Sequence, residues 1–181
     1  MVLLAGLASL PVVGPSAVLA LPGVARATLA FALVLALGGG ILWRFDGLVD
    51  RTIEASAERP LAALGYGVAA HATMVFAGLY VASQLGQFSV AGRSLGVVGL
   101  WVGFGLLAVA AGLGFTAVGS AVVEAGWNRG RWHGLLLGAV LAGLIVLPDP
   151  LVAGVVWVVA VSAGIGGPVR RWLHASAGPG R

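Results

Sequence analysis

The chain alternates long apolar tracts with short polar segments. A helix that crosses the hydrocarbon core of a bilayer needs about 20 apolar residues. Six tracts are candidates for such helices, over residues 2–21, 27–43, 61–83, 95–123, 134–147 and 151–167. The last two are separated only by Pro148, Asp149 and Pro150, a turn that favours an antiparallel helical hairpin. The pattern predicts an all-α fold, a polytopic transmembrane helical bundle in a single domain of residues 1–181.

The first tract, residues 2–21, has two interpretations. Pro11 and Pro15 interrupt it, so it is either a kinked span or a cleaved leader. A secretory leader usually begins with basic residues, and nothing before Arg26 is charged. This absence favours a retained span and a total of six; cleavage would leave five.

Composition supports the membrane assignment and narrows the function. Hydrophobic residues make up 60% of the chain and charged residues 9%, against roughly 25% charged in soluble domains. The net charge of +4 is spread over loops, so we expect no nucleic-acid partner. The chain has no Cys, which excludes thiol chemistry, and no Lys, which excludes a Walker-type phosphate loop. We expect a non-enzymatic protein without a cofactor, surrounded by the lipid bilayer.

The arginines predict an orientation. With a cytoplasmic N-terminus, only Arg26 and Arg93 lie in outer loops. The inner segments carry the other eight, namely Arg44, Arg51, Arg59, Arg129, Arg131, Arg170, Arg171 and Arg181. Because basic residues are retained on the cytoplasmic side, we expect a multi-pass protein of a prokaryotic plasma membrane with both termini cytoplasmic and a basic tail over residues 168–181.

A charged segment between the second and third tracts, residues 44–59, predicts an amphipathic helix. On a helical wheel the apolar face holds Phe45, Leu48, Val49, Thr52 and Ile53. The opposite face holds Asp46, Asp50, Glu54 and Glu58, and the border holds Arg44, Arg51 and Arg59. This pattern is typical of a helix lying in the headgroup layer with its apolar side toward the lipid. Its acidic face is either a solvated surface or a docking surface for a cytoplasmic partner.

The sequence ERPLAALGYG, residues 58–67, resembles the membrane portion at the C-terminus of some bactofilin-like, polymer-forming proteins. The resemblance continues through a long glycine-bearing span, a small arginine loop and a closing hairpin that ends in GIGGPVRRW, and it covers residues 38–173. The glycine-spaced β-helical repeat that polymerises is absent from this sequence. The resemblance implies a membrane module that anchors or organises such a polymer.

Small residues recur at helical spacing in three tracts. The positions are Gly99, Gly103, Ala108 and Gly112 in the fourth tract, followed by Thr116 and Ser120, then Gly134, Gly138 and Ala142 in the fifth, and Ala160 and Gly164 in the sixth. Small side chains let transmembrane helices approach closely. The stripes therefore predict packing within one bundle, with self-association into a homo-oligomer as the alternative.

Polar side chains within the tracts are the candidates for an intramembrane site, because ionisable groups in hydrocarbon are costly. His71 lies eleven residues after Pro60, at a depth of roughly 16 Å at the helical rise per residue. The antiparallel fourth tract offers Thr116, Ser120 and Glu124. Together they suggest a proton or cation path and a small transporter or channel subunit. The alternative is a neutral His71 bonded to a threonine or a backbone carbonyl.

Signals of an enzyme are weak. GRSLG, residues 92–96, has the spacing of a nucleophile elbow, with Asp149 and His174 following in a hydrolase's order. An elbow needs a preceding strand, and His174 is predicted on the opposite side of the membrane from Ser94. The three histidines lack the spacing of a metal site. The leading interpretation is a membrane anchor or scaffold for a cytoplasmic partner.

Overall fold

The computed structural model describes residues 20–45, 47–86, 90–127 and 130–176. Within these ranges the chain forms six helices and no strand: α1 (Gly23–Arg44), α2 (Leu48–Ala57), α3 (Pro60–Gly86), α4 (Val90–Trp127), α5 (Arg131–Val146) and α6 (Pro150–Ser176). The prediction of an all-α helical bundle is confirmed. Most of the predicted first span lies outside the described residues.

Four of these helices, α1, α3, α4 and α6, are long and apolar enough to cross a membrane. Helix α5 is apolar but has only 16 residues. At the helical rise it extends about 24 Å, less than the roughly 30 Å of a hydrocarbon core. The count of six spans therefore stays a prediction, whereas the transmembrane character rests on the four longer helices.

Local sequence explains where the helices begin and end. Gly47 has a φ of 79° and separates α1 from α2, so the predicted helix over residues 44–59 is shorter than expected. Pro60 begins α3, where its missing N–H leaves no hydrogen bond unmade. In the turn before α6, the Asp149 carboxylate accepts hydrogen bonds from the backbone N–H groups of Leu151 and Val152, at 2.8 and 3.4 Å.

The five long helices alternate in direction along the chain. Helix α3 runs antiparallel to α6, because Ala63 lies beside Gly166 while Gly67 lies beside Ser162. Helix α5 runs antiparallel to both α1 and α4, and α4 contacts every other described helix. The ends of α1, α4 and α6 therefore meet the starts of α3 and α5. We call this side of the bundle, with α2, the charged end.

The buried core lies around α4. Phe115 and Val161 are fully buried, and they pack with Val34, Ala139 and Ile165 into one apolar cluster. These residues come from four helices, so the cluster joins α1, α4, α5 and α6. Around it, many large apolar side chains remain exposed, as in helices surrounded by lipid.

Candidate functional site at the charged end

Helix α2 packs against the bundle through its apolar face. Val49, Thr52 and Ala55 are buried, and they lie three residues apart on one side of the helix. The expectation that the apolar side faces the lipid is wrong for Val49 and Thr52, because the protein itself covers them. Phe45, predicted on the same face, precedes α2 and is 55% exposed.

Glycines on α6 make this contact close. A Cβ on Gly167 would overlap the backbone of Ala55 and Ser56 in α2, and a Cβ on Gly166 would overlap the carbonyl group of Ala63 in α3. A Cβ on Gly164 would lie 2.5 Å from the Cα of Gly114 in α4. The segment GIGGP, residues 164–168, therefore lies in close contact with three helices, α2, α3 and α4.

Pro168 lies inside α6, which the sequence pattern predicted to end at Gly167. A proline has no N–H, so it cannot donate to the carbonyl four residues earlier, that of Gly164. The Ser56 hydroxyl donates to the Gly164 oxygen at 3.1 Å instead. The helix thus continues through Pro168 to Ser176, and part of the predicted basic tail is helical.

Two of the predicted docking acids pair with arginines of the same chain. Asp50 lies 3.0 Å from Arg131 of α5. Glu58 accepts hydrogen bonds from Arg171 and, at 2.5 Å, from Arg170. These bonds lower the pKa of the Glu58 carboxyl below its usual value, Arg171 having the larger effect. Asp46 lies outside the described residues. Part of the acidic face, predicted as a solvated or a docking surface, is thus paired with arginines of α5 and α6.

Arg170 also ties α6 to the backbone of α2. Its guanidinium donates to the Ala55 carbonyl oxygen at 3.4 Å, and its side chain is only 12% exposed. Arg170 of α6 therefore contacts both Ala55, near the end of α2, and Glu58, in the link between α2 and α3. Together with the buried apolar face, this contact holds α2 in one position on the bundle.

The remaining charges of the segment face outward. Arg51, Glu54 and Arg59 are exposed, and no described residue forms an ion pair or hydrogen bond with these side chains. The guanidinium of Arg44 lies 5.5 Å from the centre of the Phe45 ring. A partner approaching the charged end would thus meet charges of both signs, from the arginines and from the Glu54 carboxylate.

His71 is buried between α3 and α6. Its Nδ1 lies 3.2 Å from the Gly67 carbonyl oxygen and 3.1 Å from the Ser162 hydroxyl, and its ring meets Trp157 edge to face at 5.6 Å. Its Nε2 is buried without a hydrogen-bond partner among the described residues. The expected alternative, a bond to a backbone carbonyl, matches the geometry at Nδ1.

The other members of the predicted path contact different helices. The Thr116 hydroxyl donates to the Gly112 carbonyl at 2.6 Å and faces Gly38 of α1. Ser120 faces Gly134 of α5, and Glu124 is exposed. The contacts of the described residues therefore do not connect His71 to these three side chains.

The predicted packing stripes divide into two groups. Gly112, Gly134 and Gly138 lie at helix crossings, Ala142 is buried and Ala108 is half-buried. Around Gly99 and Gly103, by contrast, an added Cβ would meet no other part of the described chain within 4 Å.

Sequence reasoning missed Ser56, Trp157 and Ser162 as contact residues. A partial signal existed for Ser56: in a helix that continues through Pro168, the Gly164 carbonyl needs another donor, but this does not identify the residue that supplies it. No comparable signal pointed to Ser162, because pairing it with His71 requires the register between α3 and α6.

Comparison with protein-family models, with curated proteins and with solved structures finds no match for this chain. Within the described ranges, no group of three or more histidine and acidic side chains could hold a metal ion. The charged end and the surroundings of His71 are therefore the two candidate functional sites of the described chain.

Proposed function

We propose that this chain is a non-enzymatic, multi-pass membrane anchor or scaffold whose charged end receives a cytoplasmic protein. The observation that carries the proposal is the fixed position of α2. Its buried face and the arginines of α5 and α6 hold it on the bundle, while Arg51, Glu54 and Arg59 point outward. A surface that is already ordered loses little entropy when it binds.

The distribution of arginines supports a cytoplasmic location for this surface, because eight of the ten lie in segments assigned to that side. The resemblance of residues 38–173 to the membrane portion of bactofilin-like proteins suggests the class of partner, a polymer-forming cytoskeletal protein. In this proposal Asp50 and Glu58 act indirectly, since they position α2 and do not themselves meet the partner.

Crosslinking in native membranes tests the proposal. A triple variant, Arg51→Ser, Glu54→Ser and Arg59→Ser, removes the outward charges and leaves the buried face of α2 unchanged. We expect a filament-forming protein to be recovered with the wild type and lost with this variant. Arg26→Ser, at the other end of the bundle, is the control for loss of an arginine. Equal recovery from the wild type and the triple variant, or recovery of no such protein, would count against the scaffold.

A small transporter or channel subunit is the second candidate, favoured by the unpartnered Nε2 of His71 in the bundle interior. A polar atom in that position is costly unless a proton, water or cation reaches it. The test is pH-dependent flux into proteoliposomes, which His71→Ala should abolish. Thr73→Ala is the matched control, because this exposed hydroxyl bonds only within α3. An unaltered flux in His71→Ala would exclude the path.

A further inference from the structure

A groove of about 360 Å³ lies at the charged end between α2, α4 and α6. Its size is within the range of small-molecule sites, roughly 300–1,000 Å³. Helix α4 supplies a row of three alanines, and α2 and α6 complete the lining; the main residues are Ala117, Ala121, Ala125, Ile53, Ser56 and Gly164. Because these side chains are small, the helices leave space where larger residues would fill it.

The lining is suited to a hydrocarbon chain. Ser56 provides the single polar side chain among the lining residues, and its hydroxyl already donates to the Gly164 carbonyl. A polar ligand would lose its hydrogen bonds to water in this groove and gain none, which is unfavourable. An alkyl chain has no hydrogen bonds to lose on entering, and it makes close contacts with the alanines.

The groove is closed at its base and open at its rim. Ala117 and Gly164 are buried, whereas Ala57, Ala121 and Ala125 are exposed. These exposed positions belong to α2 and to the apolar surface of α4, a helix of membrane-spanning length. A lipid can therefore enter from the side without opening the bundle.

Charges of both signs lie next to the rim in the chain. Arg59 precedes the lining residue Pro60, and Glu54 and Glu124 are neighbours of the lining residues Ile53 and Ala125. All three are exposed and lack a charged partner among the described side chains. A guanidinium attracts a phosphate and a carboxylate attracts an ammonium group. A headgroup with only negative charge could pair with Arg59 but would leave both glutamates without a cation.

We propose that the groove binds one acyl chain of a zwitterionic phospholipid with a primary amine, its phosphate near Arg59 and its ammonium group near the glutamates. The site goes beyond the proposed scaffold function and does not depend on it. The bound lipid would lie at the charged end, beside α2, whose outward charges would meet a protein partner.

Native mass spectrometry of the purified chain tests the site, with phosphatidylethanolamine or phosphatidylglycerol added to the delipidated protein. We expect the wild type to retain phosphatidylethanolamine about fivefold better, the ratio given by one exposed ion pair. Ala121→Phe fills the groove from its exposed rim and should lower retention to background. The control Ala77→Phe makes the same change on an exposed face of α3 and should behave as the wild type.

A second variant keeps the test decisive if Ala121→Phe does not fold. Arg59→Gln with Glu54→Gln leaves the groove open, and it should abolish the preference between the two lipids while some binding remains. The proposal would be overturned by equal retention in Ala121→Phe and the wild type, or by a wild type that prefers phosphatidylglycerol or neither lipid. Ala121→Phe keeps the outward charges of α2, so loss of lipid and loss of a protein partner can be distinguished.

Discussion

Along α4 the same residue, glycine, has opposite surroundings at Gly119 and Gly103. In the half toward the charged end, Gly119 lies against α5, and an added Cβ would be 2.6 Å from the backbone nitrogen of Gly138. In the other half of the same helix, Gly103 has nothing from the described chain within 4 Å of that position, and the neighbouring Val102 is 58% exposed. A glycine repeat in an apolar helix therefore shows that another helix could pack closely against it. The tertiary structure decides at which glycines a neighbouring helix does so.

Replacing glycine by leucine in each half of α4 should give the largest difference in the free energy of unfolding. Gly119→Leu should lower the free energy of unfolding by at least about 3 kcal/mol, because the side chain would overlap the backbone of α5. Gly103→Leu should be neutral or stabilise by up to about 1 kcal/mol, since glycine is a poor helix former. Unfolding in mixed micelles with increasing SDS measures both. A large loss in Gly103→Leu would show that a second copy or another segment covers that face.

The Ser56 hydroxyl, which donates to the Gly164 carbonyl in place of the missing N–H of Pro168, should have the next largest effect on stability. Ser56→Ala leaves the Gly164 carbonyl without its donor and should destabilise by about 1–2 kcal/mol. In a Pro168→Ala background residue 168 can donate again, so the cost of Ser56→Ala should fall by about 1 kcal/mol. The two single variants and the double variant form a cycle measured by the same unfolding assay. Additive costs would show that Ser56 acts through another contact.

The contact between α3 and α6 at His71 should contribute less. Ser162→Ala removes the hydroxyl 3.1 Å from His71 Nδ1, and we expect a loss of about 1 kcal/mol, typical of one hydrogen bond. Thr73→Ala removes a hydroxyl on the exposed side of α3 and should have little effect. If both variants unfold alike, the bond between Ser162 and His71 adds nothing to stability.

The smallest effect should come from the exposed ion pairs of the charged end. The arginines lower the pKa of Glu58 in the folded chain, so the carboxylate stabilises the fold above the usual pKa of a glutamate. This contribution is lost as the pH falls through the lowered pKa, where the folded chain takes up the proton. Unfolding of the wild type and Glu58→Gln, followed from pH 7 downward, should therefore converge in acid. A difference that stays constant with pH would contradict the ion pairs with Arg170 and Arg171.

The charged segment shows how far sequence patterns reach. Its amphipathic character and the outward direction of Glu54 follow from helical periodicity, which depends only on residues a few positions apart. The pairing of Glu58 with Arg170 and Arg171 joins positions more than 110 residues apart, and periodicity carries no information on such distances. The same limit applies to His71, whose depth could be estimated from Pro60 but whose partner, Ser162, could not.

Sequence alone determined that the chain is helical and suited to a membrane, and that α5 and α6 are joined by a tight turn. These properties depend on local composition, proline chemistry and the hydrophobic thickness of a bilayer. Tertiary structure decided that α2 covers its apolar face with α6, and which glycines lie at crossings. An apolar face gains similar free energy against lipid or against protein, so its periodicity cannot distinguish them. The glycines of α6, which let backbones come into contact, decide the outcome.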